Sequence, residues 1–66
     1  MALTVNGEKR EVAPDATLSS FLSGIGLDPA KVAVERNLAI VPRSRYGVTV
    51  LSPGDRIEIV QFVGGG

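Results

Sequence analysis

The sequence predicts a small α+β fold in which one main helix packs on one face of a mixed sheet of four to five strands. Two observations carry this prediction. Residues 18–25 have apolar side chains at helical spacing, and several short segments around them alternate between apolar and polar residues as strands do. A chain of 66 residues, 44% of them hydrophobic, has room for one domain and one core. We assign this domain to residues 1–63.

The chain begins with a predicted hairpin. Leu3 and Val5 share one face of a first strand, and Asn6-Gly7 follows as a turn because both residues tolerate positive φ. The return strand, residues 9–12, is polar except for its last residue. Such a strand fits the edge of a sheet.

A helix follows the hairpin. Thr17 is the predicted N-cap, with Asp15 as a second candidate, and Gly24 or Gly26 supplies the left-handed residue at the other end. The helix has one apolar stripe at positions i, i+3, i+4 and i+7, which consists of Leu18, Phe21, Leu22 and Ile25. This stripe is expected to face the sheet.

The sequence of the second half of the chain predicts two or three more strands. Residues 31–37 alternate and form the third strand, and the apolar run 38–41 ends at Pro42, which suits a strand end. Residues 43–47 are predicted to be irregular, and residues 48–51 form either a short strand or an extended connection. The final strand, residues 56–63, follows a Ser-Pro-Gly-Asp turn.

The apolar faces of these elements define one predicted core. Its members are Leu3, Val5, Leu18, Phe21, Leu22, Ile25, Val32, Val34, Ile40, Ile57 and Ile59. A hairpin that leads into a helix, followed by a last strand inserted at the centre of the sheet, covers both the helix stripe and the apolar last strand. This order matches the β-grasp fold of ubiquitin.

Composition excludes several classes of function. Seven Lys and Arg balance seven Asp and Glu, so we expect no nucleic-acid partner, since such partners are bound through excess positive charge. The lack of Cys and His argues against an enzyme, bound zinc and any catalytic residue on this chain. No apolar run approaches the 18 or so residues of a membrane helix, and no signal peptide is recognisable. We therefore expect a cytoplasmic protein without a membrane, metal or bound cofactor.

The sequence ends in Gly64, Gly65 and Gly66, directly after the last strand. Three extended residues without side chains reach about 10 Å and fit a channel too narrow for other residues. The terminal carboxylate is an anion at neutral pH and a poor electrophile, so chemistry at this carbon requires activation, for example by joining it to AMP. We predict a flexible tail that is threaded into a partner. A frayed terminus or an expression scar is the alternative.

A docking surface is predicted beside the tail. If Ile57 and Ile59 face the helix, alternation places Val60 and Phe62 on the opposite face of the sheet. Together with Ala33 they form an apolar patch of the kind that binds a partner. The alternative is that Phe62 covers the rim of the core.

Other polar and aromatic side chains have simpler interpretations. Arg36, Arg43 and Arg45 are interpreted as solvated surface charges rather than partner-binding residues. Tyr46 is expected to pack against the edge of the sheet.

Three segments carry a resemblance to a known family. They are residues 32–44, with the sequence VAVERNLAIVPRS, the Pro53-Gly54-Asp55 turn with the strand Ile57-Glu-Ile-Val60 after it, and the ending Phe62-Val-Gly-Gly-Gly66. In these segments the chain resembles the ThiS-type sulfur carrier proteins of thiamine biosynthesis, which are ubiquitin-like β-grasp proteins of about this length. The resemblance covers essentially the whole chain.

The resemblance implies a function centred on Gly66. A ubiquitin-activating-type enzyme, which uses ATP and Mg²⁺, would adenylate Gly66, and a sulfur-donating protein such as a cysteine desulfurase would supply sulfur for a thiocarboxylate. Thiazole synthase would then take this sulfur into the thiazole ring. Two alternatives stay open: a carrier like the small subunit of molybdopterin synthase, whose chain is usually longer, and a β-grasp module that binds partners non-covalently.

Overall fold

The computed structural model of the protein describes residues 1–61. In chain order the elements are β1 (Ala2–Val5), β2 (Glu8–Glu11), α1 (Leu18–Gly24), β3 (Val32–Arg36), β4 (Ala39–Val41) and β5 (Arg56–Gln61), with 3₁₀ turns at Pro29–Lys31 and Arg43–Arg45. The predicted α+β class is confirmed. The predicted continuation of the last strand to residue 63, the domain boundary there and the tail Gly64–Gly66 lie outside the described residues.

The five strands of this region form one mixed sheet in the order β2-β1-β5-β3-β4. β5 lies at the centre, parallel to β1 and antiparallel to β3. The hairpins β1–β2 and β3–β4 lie on its two sides. The last strand is therefore inserted centrally, as the sequence predicted.

α1 begins and ends at the predicted signals. Thr17 Oγ1 accepts a hydrogen bond from the Ser20 N–H at 3.1 Å, and Ser20 Oγ accepts one from the Thr17 N–H at 3.1 Å, which together form a capping box. At the other end Gly26 has a φ of 85°, and the Leu27 N–H donates to the Leu22 carbonyl at 2.9 Å. Gly26, rather than Gly24, is the left-handed residue. Within residues 1–61 no helix is long and apolar enough to cross a bilayer.

One apolar core lies between α1 and the sheet. It consists of Leu3, Val5, Leu18, Phe21, Leu22, Val32, Val34, Val41, Tyr46, Leu51 and Ile57. Eight of these residues were predicted. Ile25 and Ile59, also predicted, are partly buried and pack against the edge of the core.

The assignment of Ile40 to the core was wrong. Ile40 is 78% exposed, whereas its neighbour Val41 is 9% exposed. The two-residue turn between β3 and β4 pairs Val34 with Val41 and Glu35 with Ile40. Since Val34 faces the core, its partner Val41 does so too, and Ile40 is on the opposite face.

The connection from β4 to β5 supplies two core residues that were not predicted there. Tyr46 is buried, and its hydroxyl donates a hydrogen bond to the Val32 carbonyl at 3.0 Å. Leu51 is buried as well, and its N–H donates to the Ala16 carbonyl at 2.9 Å. Residues 48–51 form no regular strand: the Val48 N–H closes a turn onto the Arg45 carbonyl at 3.1 Å, and Val50 makes one isolated bridge with Thr17.

Candidate functional site

The face of the sheet opposite α1 carries an apolar groove, here called the open-face groove. Ala33 of β3 lies directly opposite Val60 of β5, and Glu35 lies between Ile40 of β4 and Glu58 of β5. The groove has a volume of about 360 Å³, and its lining consists of Ala33, Val34, Glu35, Ile40, Glu58 and Val60.

The apolar residues of the open-face groove are strongly exposed. Val60 is 63% exposed, and Ile40 is the more exposed of the two. Isolated exposed apolar residues are common on protein surfaces, but a contiguous group around a groove indicates a binding surface. The arrangement can therefore bury the groove residues against a partner.

Part of this groove was predicted and part was missed. Ala33 and Val60 were predicted to belong to a docking patch, and the structure brings them together across two strands. Phe62, the third predicted member, lies outside the described residues, as do Gly64–Gly66. Ile40 was missed because it was expected in the core. The Asn37-Leu38 turn could have located it, since a two-residue turn fixes the register of the hairpin.

Two carboxylates border the apolar residues. Glu35 and Glu58 face each other across β3 and β5, and Arg56 Nε lies 3.6 Å from Glu58 Oε1. This ion pair is exposed to solvent, and such pairs contribute little to stability. The groove therefore combines exposed apolar side chains with two carboxylates, and Glu35 lies between Ile40 and Glu58.

A second polar cluster joins the β3–β4 hairpin to the start of β5. Arg36 Nε donates to Asp55 Oδ2 at 2.8 Å, Asn37 Nδ2 donates to Asp55 Oδ1 at 3.1 Å, and the Ser52 N–H donates to Asp55 Oδ2 at 2.8 Å. The interpretation of Arg36 as a solvated charge was therefore wrong. Its guanidinium donates to a buried carboxylate that is distant in sequence.

The electrostatics of Asp55 indicate a structural role. Burial alone would raise the pKa of Asp55, but the hydrogen bonds from Ser52, Asn37 and Arg36 and the charge of Arg36 outweigh it, so the pKa lies below its ordinary value of 3.8. Asp55 is therefore ionised at neutral pH, and both its oxygens accept hydrogen bonds. Such a carboxylate holds loops in place and is a poor proton acceptor.

Within residues 1–61 no group of three or more Asp, Glu, His or Cys side chains could hold a metal ion.

Comparison with known proteins identifies the family. The ThiS family model matches residues 3–66. The sulfur carrier protein ThiS of Bacillus subtilis is 40% identical over 65 residues, which are 97% of this chain and 98% of that protein. A thiazole synthase of Paramagnetospirillum magneticum is 48% identical over all 66 residues of this chain, which spans one fifth of the length of that protein.

A solved structure supports the same assignment. The crystal structure of the thiamine biosynthesis protein ThiS from Geobacter metallireducens superposes with a TM-score of 0.84 at 33% identity, and each chain is covered in full. The helix and mixed sheet described above therefore form the β-grasp fold of that protein. Because the family model spans nearly the whole chain and the Bacillus subtilis relative aligns along almost its entire length, the chain belongs to the ThiS family.

Proposed function

We propose that this chain is a sulfur carrier for thiamine biosynthesis and that it donates sulfur for thiazole formation. The observation that carries the proposal is the family match over residues 3–66, which runs through the three terminal glycines. The Bacillus subtilis relative, a sulfur carrier protein, supports it over the same length. In this function the chain is a substrate of other enzymes and not itself a catalyst.

The proposed chemistry takes place at the carboxylate of Gly66. One of its oxygens attacks the α-phosphate of ATP and releases pyrophosphate, which gives an acyl adenylate. The outer sulfur of a persulfide on the sulfur donor then attacks the activated carbonyl and displaces AMP, which gives an acyl disulfide. A thiol attacks the donor sulfur of this disulfide, forms a mixed disulfide with the donor and leaves a thiocarboxylate on Gly66. ATP and Mg²⁺ belong to the adenylating enzyme in this scheme.

The chain contributes reach and a narrow cross-section to this reaction. Five residues follow Gln61, the last described residue, and an extended segment of that length spans at most about 18 Å. The last three are glycines, which allow the backbone to approach the walls of an active site closely. Gly64, Gly65 and Gly66 are thus the proposed threaded segment.

The open-face groove is the proposed docking surface. Val60 and Ala33 line it from opposite strands, and Phe62 follows Val60 at strand spacing and is proposed to extend it. The proposed partners are a ubiquitin-activating-type adenylating enzyme, thiazole synthase, and a sulfur-donating protein such as a cysteine desulfurase. The thiazole synthase relatives, in which a segment aligns with the whole of this chain, support a joint action of carrier and synthase. Since adenylation consumes ATP, the proposal implies the cytoplasm as compartment.

Intact-protein mass spectrometry tests the proposal. The chain is incubated with the cognate adenylating enzyme, ATP and Mg²⁺, first alone and then with a sulfur donor. We expect the mass of an adenylate in the first reaction and a sulfur-for-oxygen exchange in the second, and a chain that lacks Gly66 should show neither. No modification would favour a module that binds non-covalently.

The enzyme that binds the thiocarboxylate form distinguishes a carrier for thiamine biosynthesis from a carrier like the small subunit of molybdopterin synthase. The thiocarboxylate form should co-purify with thiazole synthase. Co-purification with the large subunit of a molybdopterin synthase instead would reject the thiamine pathway and keep the carrier chemistry.

A further inference from the structure

β5 extends beyond the end of β1, the strand that pairs with it on one side. β1 and β5 are in register at two positions, of which Val5 opposite Ile57 is the last, and the Asn6 N–H donates to the Ile57 carbonyl at 2.8 Å. The chain then turns at Asn6 and Gly7, whose φ angles are 50° and 83°. β5 continues to Gln61 and therefore extends past the end of β1.

The side chain of Asn6 takes the place of a strand beside Ile59. Its Oδ1 accepts a hydrogen bond from the Ile59 N–H at 2.7 Å, and its Nδ2 donates to the Ile59 carbonyl at 3.3 Å. A side-chain amide offers both a donor and an acceptor, as a peptide group does. It therefore satisfies both backbone groups of Ile59, whereas a carboxylate would lack the donor and glycine would lack both.

On its other side, β5 is paired with β3. Val34 lies opposite Ile59, and Val32 lies opposite Gln61. This part of β5 is thus held from two sides, by its ladder with β3 and, at Ile59, by one side chain from the β1–β2 turn. Without that side chain, the part of β5 beyond Ile57 keeps only its β3 partner.

We propose that Asn6 is a positioning residue for the reaction at Gly66. Its amide fixes the end of β5, and therefore the point and direction from which the five terminal residues continue, relative to the open-face groove. This inference rests on the proposed function. A carboxylate that must enter a narrow site reacts faster when its starting point is fixed, because fewer unproductive arrangements compete.

Asn37 provides a matched control at the opposite end of the same strand. It also has a left-handed φ, of 51°, in a two-residue hairpin turn. Its Oδ1 accepts from the Arg56 N–H at 2.9 Å, and its Nδ2 donates to Asp55. Removal of its amide should therefore disturb the start of β5 and leave the end of β5 in place.

The experiment compares Asn6→Gly with Asn37→Gly in the 66-residue chain. Glycine keeps positive φ without strain, so both turns are preserved. Amide hydrogen exchange at Ile59 reports on its hydrogen bonds with the Asn6 side chain. Steady-state adenylation by the cognate enzyme reports on how well Gly66 is positioned for the reaction. For Asn6→Gly we expect exchange at Ile59 about tenfold faster and kcat about tenfold lower, with KM within about twofold because the open-face groove is unchanged. For Asn37→Gly we expect kcat within about twofold of the original chain.

Each outcome decides one point. Faster exchange with unchanged kcat in Asn6→Gly overturns the positioning role, and an equal loss of kcat in Asn37→Gly does the same. No adenylation of the original chain overturns the proposed function, and the positioning role with it. If Asn6→Gly does not fold, Asn6→Asp replaces it, since it keeps the acceptor for the Ile59 N–H, and kcat should then fall about threefold.

Discussion

Leu38 has a backbone conformation that does not suit its residue type. It occupies the second position of the turn between β3 and β4 with a φ of 71°, and the residue is 75% exposed. Turns of this kind favour glycine at that position, since a Cβ atom clashes with the backbone there. Because the side chain is exposed, packing in the core does not compensate for this strain.

Replacement of Leu38 by glycine is predicted to stabilise the domain. Leu38→Gly removes the Cβ clash and should raise the free energy of unfolding by about 1 kcal/mol, measured by urea denaturation. Leu38→Ala keeps the Cβ atom and should change it by less than about 0.5 kcal/mol. Equal gains in both variants would attribute the effect to the exposed side chain rather than to the backbone.

The Asp55 cluster makes stability depend on pH in a defined direction. The pKa of Asp55 is lowered in the folded chain, so the folded state favours the ionised carboxylate more than the unfolded state does. The resulting stabilisation is fully present above the ordinary pKa of 3.8 and is lost as the pH falls through the folded pKa.

The variant Asp55→Asn is predicted to reveal this contribution. At pH 7 it should lower the free energy of unfolding by about 2 kcal/mol, because it removes the charged partner of Arg36 and alters the acceptors for Ser52 and Asn37. The difference from the original chain should stay constant between about pH 5 and 7 and shrink below about pH 4. Urea denaturation at several pH values measures it. A difference that grows toward low pH would contradict the assignment.

Among the elements, β4 has neighbouring residues with opposite environments. Val41 faces the core opposite Val34, and Ile40 faces solvent in the open-face groove. The burial of a side chain therefore depends on the register of this three-residue strand, and not on its hydrophobicity.

Alanine substitution in β4 should separate the two residues. Val41→Ala is predicted to lower the free energy of unfolding by about 2 kcal/mol through lost burial. Ile40→Ala should lower it by less than about 0.5 kcal/mol, although it removes the larger side chain. Both values come from urea denaturation, and equal losses would place Ile40 in the core.

Local signals predicted most of the elements. The Asn6-Gly7 turn, the Thr17 cap and the apolar stripe of α1 depend on residues within a few positions of each other, and each was located correctly. Ile40 and Arg36 were misassigned because their environments depend on partners elsewhere. Arg36 pairs with a residue 19 positions away, a distance that residue spacing does not reveal.

At the scale of the whole molecule, the sheet separates the core from the proposed docking surface. One face packs against α1, and the other carries the open-face groove, with β5 contributing to both. The alternation of β5 allowed part of this groove to be predicted, since Val60 must oppose Ile57 and Ile59. The roles of Phe62 and Gly64–Gly66 stay predictions.

A variant pair tests the groove independently of stability. Val60→Thr keeps the β-branched shape and adds a hydroxyl to the groove, and it should raise the KM for the adenylating enzyme about fivefold, by analogy with residues central to interfaces. Val48→Thr is the control, because Val48 is 70% exposed and does not line the groove. Its KM should be unchanged. An equal effect of both variants would reject the groove as the docking surface.

The central position of β5 also has a mechanical consequence. This strand leads directly to the C-terminal segment, and it has β1 on one side and β3 on the other. In the proposed function, an enzyme that draws the C-terminus into its active site would apply tension along β5, which is an interior strand. Such tension would act in shear on the β3 ladder as far as Gln61 and on the β1 ladder from Ile57 inward, so separation of β5 from the sheet would break several backbone hydrogen bonds together.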